Sequence, residues 1–147
     1  MTRTPYRLDN YFFTELSIKA QLPEDPDSIE EFSATVDPDE LDISLNSSPG
    51  NEENQLYISL TVSSIDGEGV GRFYAFNMSG MATVSLAEEL PDSFPEDEEL
   101  WKELVSVNGA NIVYAAMRDR LEVATGSMPW GRVFLPPVFT RSLLNAD

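Results

Sequence analysis

Several stretches of the chain alternate apolar and polar residues with period two, and a later stretch repeats apolar residues at helical spacing. Leu56, Ile58, Leu60 and Val62 alternate with Tyr57, Ser59, Thr61 and Ser63, the clearest signal in the sequence. Alternation sends the two sets to opposite faces, so this segment predicts a half-buried strand. Leu16, Ile18 and Ala20 share one face of Glu15–Ala20, and Tyr11, Phe12 and Phe13 extend that strand upstream with apolar groups on both faces. Leu41, Ile43 and Leu45 alternate with Asp42 and Ser44 in a short strand. After Asp66-Gly67-Glu68-Gly69, which marks a tight connection, an extended pattern resumes over Arg72–Leu86 with Phe73, Tyr74, Phe76, Met78, Met81 and Val84. Gly80 lies inside that run, and an interior glycine signals a bulge or a close backbone approach. Four antiparallel strands follow, the last three as consecutive neighbours.

The period then changes. Pro95 followed by Glu96, Asp97, Glu98 and Glu99 reads as a helix start, with proline in the first turn and acids at the positive dipole end. Leu100, Trp101 and Leu104 supply its apolar side, and Asn108 or Asn111 is placed to cap a longer helix. Ala110, Val113, Met117, Leu121 and Ala124 make a one-sided helical stripe, closed by Gly126 and Pro129. Pro136 and Pro137 make Trp130–Phe139 extended. Thr140 is positioned to cap a short last helix anchored by Leu143 and Leu144. The class is α+β, read as a single domain over residues 1–147.

Composition narrows the function. The 147 residues contain no Cys and no His, which removes thiol nucleophiles, disulfides, Cys/His zinc sites and Ser-His-Asp triads. Asp plus Glu number 26 against 9 Lys plus Arg, a formal charge of -17. A phosphate-backbone binder needs the opposite sign, and an anionic membrane surface would repel the chain, so neither nucleic acid nor direct membrane insertion is expected. No apolar run approaches the ~18 residues of a membrane span. Met1–Pro5 lacks the apolar centre of a secretory signal, which points to a cytoplasmic location. Eighteen of the acids fall in two proline-bearing blocks, Glu24–Glu53 and Glu88–Glu99, and such blocks read as solvated loops. Crowded loop acids do not fix the geometry a two-carboxylate hydrolase needs. Asp37, Asp39, Glu40 and Asp42 do not match an EF-hand loop. Gly67, Gly69 and Gly71 precede no helix that could hold a phosphate. No catalytic residue, metal site or cofactor is assigned.

The aromatic residues are too many for one face of a four-stranded sheet: Phe12, Phe13, Tyr57, Phe73, Tyr74, Phe76, Trp130, Phe134 and Phe139. Either helices or another subunit cover the rest, or an apolar groove binds something.

The order of elements resembles the SecB export chaperone family over about Tyr11 to Leu144. The strongest piece is Asn111-Ile112-Val113-Tyr114 with Arg118, then Gly126-Ser127-Met128-Pro129, then Leu135-Pro136-Pro137-Val138-Phe139. Glu15–Ala20 and Ser79-Gly80-Met81 add weaker echoes. The resemblance implies a four-stranded antiparallel sheet with the long helix packed on one side. It also implies a homotetramer, a dimer of dimers joined through a helix that here carries Val113, Met117 and Leu121. The implied activity is ATP-independent holding of non-native polypeptides, such as precursors bound for export. The implied client groove takes Phe32, Val36, Leu41 and Ile43 from the crossover between the first two strands. Trp130, Phe134, Val138 and Phe139 come from the extended segment, and Leu143 and Leu144 from the last helix. Glu15 and Phe73 would face the translocation ATPase SecA. Lys19 and Ala75 stand where acids would be expected, and the chain stops at Asp147, soon after Leu144. Both departures bear on SecA docking more than on chaperoning. A SecB-like chaperone with one dedicated client, such as an antitoxin, and an acidic interaction or decoy protein binding a basic partner are the alternatives.

Overall fold

The computed structural model describes residues 6–86 and 98–136. Strands β1 (Tyr6–Ala20), β2 (Leu41–Pro49), β3 (Gln55–Ser64) and β4 (Tyr74–Leu86) precede one helix, α1 (Glu98–Thr125). The strands form one antiparallel sheet in the order β1-β4-β3-β2. The expected β2, β3, β4 neighbours therefore hold. β1 begins at Tyr6 rather than Tyr11 and takes the edge beside β4.

Period-two patterning decides which face is covered. Leu56, Ile58, Leu60 and Val62 of β3 are buried together with Tyr74, Phe76, Met78, Ala82 and Val84 of β4. The helix lies on this face and contributes Val105, Ala110, Val113, Tyr114, Met117 and Leu121 to the same core. On the opposite face, the registered rows run Ser44, Thr61, Ser79, Glu15 and Asp42, Ser63, Asn77, Ser17. This face is mainly hydroxyl and amide, with Phe12, Tyr57 and Met81 as its larger apolar members. One face therefore carries the core and the other is mainly polar, while β1 has the expected apolar groups on both faces, Phe13 on the core side and Phe12 on the other.

Gly80 serves close approach rather than a turn. A Cβ there would stand 2.8 Å from Cγ1 of Val113, inside van der Waals contact. The bulge itself falls on β1, where the register shifts between Phe13 and Glu15 opposite Gly80 and Ser79. Gly109 plays the matching part on the helix, since a Cβ there would collide with the end of Ile58.

The helix corrects two further expectations. Asn108 and Asn111 do not cap a second helix; they lie inside one continuous α1. Leu100 and Leu104 do not reach this chain's core but are exposed. The proposed helix start at Pro95 and the last helix from Thr140 lie outside the described residues.

Enlarging Gly80 should separate helix from sheet. Gly80→Val is expected to lower unfolding stability by about 1–3 kcal/mol in urea titration, the range for overpacking. An unchanged midpoint would contradict the close approach.

Candidate functional site

The chain between β1 and β2 crosses the end of the sheet on the helix side, and three sets of contacts pin it. The first is aromatic. Phe32 packs edge-on against Phe73 (centroids 5.1 Å apart) and Tyr74 (6.1 Å), and Phe73 against Trp130 (5.8 Å). Edge-to-face pairs at this spacing suit the ring quadrupoles. The Arg72 guanidinium sits 5.3 Å above the Phe73 ring and pairs with Glu31 on the crossover. The second set is backbone pairing. Phe134 donates to the Ala34 carbonyl (2.7 Å) and accepts from the Val36 amide (3.0 Å), so the crossover and the extended segment form a short parallel bridge. The third is Glu40, whose carboxylate accepts from the amides of Val70 and Asp37.

The extended segment is fixed with equal care. Thr125 donates to the Leu121 carbonyl (2.6 Å) and accepts from the Val133 amide (2.9 Å), turning the chain as the helix ends. Tyr74 donates to Gly131, Tyr114 to Pro136, and the Trp130 indole to the carbonyl of Gln21. Val133 and Leu135 point into the core, while Phe134 between them is 38% exposed. Burial pushes the Tyr114 hydroxyl up to about 12, although Arg118 nearby pulls the other way. Burial also raises Tyr74.

The result is a rigid frame with apolar side chains standing out of it. Leu22 is 82% exposed, Ile29 42% and Phe134 38%. Phe32, Ile43 and Trp130 are half-buried beside the core. A cavity of about 460 Å³ lies against the start of the crossover, lined by Leu22, Pro23, Glu24, Asp25, Glu31 and Arg72 among others. The apolar groups therefore sit within an acidic surround.

Of the ten residues proposed for a client groove, the structure brings Phe32, Ile43, Trp130 and Phe134 to the surface or near it. Val36 and Leu41 are core residues, at 2% and 7% exposure, and offer little to a ligand. Val138, Phe139, Leu143 and Leu144 lie outside the described residues. Phe73 is 1% exposed inside the aromatic cluster, so its side chain cannot face a partner. Glu15 is exposed on the polar sheet face, opposite Ser79. Val113, Met117 and Leu121 are fully buried against this chain's own sheet and have no surface for another subunit. The outward face of α1 instead carries Leu100, Leu104 and Ile112. Sequence reasoning missed Leu22 and Ile29. Their signal was an apolar residue isolated in an acidic, proline-bearing block, where no partner in periodicity marks it for burial.

No group of residues suited to hold a metal ion occurs among the described residues. No described helix is long and apolar enough to cross a membrane.

No protein-family model and no curated protein matches the sequence. Among solved structures, the chain is similar to a SecB-like chaperone of Mycobacterium tuberculosis in complex with a ChAD peptide from the HigA1 antitoxin. The TM-score is 0.50 at 11% identity, covering 93% of this chain and 92% of that chain. At that identity the likeness concerns architecture: the chain has a SecB-like fold, a four-stranded antiparallel sheet with one long helix on one side.

Tyr114 gives the frame a pH signature. An ordinary tyrosine ionises at 10.0 and this one at about 12. Between those values the folded chain holds a proton that the unfolded chain has lost, so the stability present below pH 10 is lost as pH rises toward 12. Tyr114→Phe is expected to flatten the fall of stability with pH in that window and to cost about 1 kcal/mol at neutral pH. Equal slopes in circular dichroism would contradict this.

Proposed function

We propose that this protein is an ATP-independent chaperone, a holdase that binds non-native polypeptides on the apolar ledge of its crossover and extended segment. The observation that carries the reading is the exposure of Leu22, Ile29 and Phe134 on a frame pinned by backbone bonds and ring contacts. A chain of charge -17 has ample polar residues to cover its surface, yet it presents apolar ones there. Exposed apolar groups in a polar rim are the signature of an interaction site. Unfolded chains expose apolar side chains without a fixed register, and such a ledge accepts many of them. The acidic surround suits basic client segments and keeps a loaded complex soluble. The SecB-like fold supports the same reading. In this proposal the protein acts in the cytoplasm without catalysis or cofactor, and its clients are precursors for export.

A chaperone dedicated to one client is a second reading, favoured by one observation: the similar structure from Mycobacterium tuberculosis holds a peptide from an antitoxin. SecA docking would use the polar sheet face around Glu15. Because Lys19 pairs with Ala75 there, that face lacks a concentrated negative field, which favours the dedicated reading over general export.

The same reading includes a homotetramer, a dimer of dimers. Its contact stripe is Leu104 and Ile112 on the outward side of α1, in place of the buried Val113, Met117 and Leu121.

Refolding of a slow-folding precursor, followed without ATP, tests the function. Arrest at both low and high salt is expected, because apolar contacts survive screening that acts over about 8–10 Å. Arrest that collapses with salt would instead identify an acidic decoy, and no arrest in either buffer would remove the general holdase. Phe134→Ser is expected to weaken client binding several-fold while lowering stability by about 1–2 kcal/mol, since the ring is 38% exposed and buries the remainder. For assembly, sedimentation should show a tetramer that tightens with salt as self-repulsion is screened, and Ile112→Asp should dissociate it. A monomer at all salt concentrations would contradict the assembly.

A further inference from the structure

The polar face of the sheet has a hollow at the end nearest the crossover. Two positions there carry little bulk. Ala75 of β4 stands beside Lys19 of β1, and Gly71 precedes β4 with no side chain, since a Cβ there would collide with the Ile65 carbonyl. The resulting cavity measures about 410 Å³, and Ser17, Lys19, Ser63, Asp66 and Asn77 line it as well. Asp66 also borders the acidic cavity at the start of the crossover.

The polar groups of this hollow are uncommitted. One row further along the same face, Thr61 and Ser79 satisfy each other, their hydroxyl oxygens 3.0 Å apart. Ser17, Asn77 and Ser63 form the adjoining row across β1, β4 and β3. Among the described residues, the side chains of these three make no hydrogen bond. The charges follow the same pattern. Arg7, Arg72 and Arg132 pair with Asp9, Glu31 and Glu122. Lys19 pairs with no described residue, although the chain carries a charge of -17. Asp66 lines the same cavity and likewise pairs with no described residue.

We propose that this hollow binds a small zwitterion of the ω-amino-acid class, with its carboxylate on Lys19 and its ammonium on Asp66. The site lies on the face of the sheet opposite the core and stands apart from the polypeptide-binding reading above. Charge selects the class of ligand. The field of so acidic a chain repels a simple anion, and Lys19 repels a simple cation. A neutral molecule carrying both charges meets neither penalty. The two walls set the spacing of those charges. Lys19 belongs to β1 and Asp66 follows β3, with β4 between them, so the walls are two strand spacings apart, about 9.6 Å. A ligand that reaches both holds its charges at the two ends of a short chain. Ser17, two residues before Lys19 on β1, can donate to the carboxylate, and Ser63 near Asp66 can accept from the ammonium. The Asn77 amide between them can do either. The acidic cavity beyond Asp66 favours the same orientation.

Equilibrium dialysis of the full chain against radiolabelled 4-aminobutyrate tests the site, with butyrate and butylammonium as single-charge probes. Salt of about 0.1 M limits the general field of the chain to about 10 Å. Saturable uptake of 4-aminobutyrate in the millimolar range is expected, about threefold or more tighter than either single-charge probe. Lys19→Met and Asp66→Asn should each weaken it about threefold to fivefold. Both side chains are exposed, so the unfolding midpoint should stay that of the unsubstituted chain. Ala75→Leu fills the hollow from its floor and should abolish the saturable uptake; the two charge variants carry the test should leucine disturb the sheet. Absence of saturable uptake, equal uptake of butyrate or butylammonium, or uptake unchanged in both Lys19→Met and Asp66→Asn would overturn the proposal.

Discussion

A single helix is too narrow for the sheet it covers, and most of what is distinctive in this protein follows from that mismatch. Four strands about 4.8 Å apart present a face roughly 20 Å wide, whereas a helix with its side chains covers about 10–12 Å. Here α1 settles over β4 with β3 and β1 on either side of it, and glycines at 80 and 109 let backbone and side chains approach closely. The sheet margins are left over. Tyr11 and Leu16 of β1 remain exposed on one side, and Ile43 and Leu45 of β2 remain half-buried on the other. The crossover and the extended segment close the end of the sheet with Val36, Val133 and Leu135, and they leave Phe134 and Ile29 outside.

That division explains how one chain keeps a core and an apolar surface at once. Phe73, Phe32 and Trp130 form the joint between them. They are large enough to fill the end of the sheet, and they hold the crossover so that Val36 turns inward while Leu22 and Ile29 stay outside. Acidic residues then concentrate on the same crossover, where they keep exposed apolar groups solvated and discourage self-association through the ledge.

The alternation in β3 and β4 was legible in the sequence because every second side chain enters one core. The same logic located β2 and the later half of the helix. It failed where a residue's fate depends on coverage rather than periodicity. The family resemblance implies a groove role for Val36 and Leu41, yet the end of the sheet buries them. Leu100 and Leu104 look like core residues at helical spacing, yet they stand on the outward side of α1, where Val105 beside Leu104 turns inward. The resemblance implies a contact between subunits through Val113, Met117 and Leu121, but this chain's own sheet buries that stripe. Asn108 and Asn111 suggested a break because their local preference is for caps; packing of Gly109 and Ala110 against the sheet carries the helix through. The polar sheet face could be read from Ser59, Thr61 and Ser63. The free edge of β2 could not, since it depends on which strand pairs with which.

Amide hydrogen exchange, with and without a saturating unfolded client, tests most directly whether the uncovered apolar margin is the binding surface. Added protection is expected in residues 22–36, in β2 and in residues 130–136, with little change on the β1 edge. Protection confined to the β1 edge, or client binding with no added protection in the crossover and β2, would contradict that assignment.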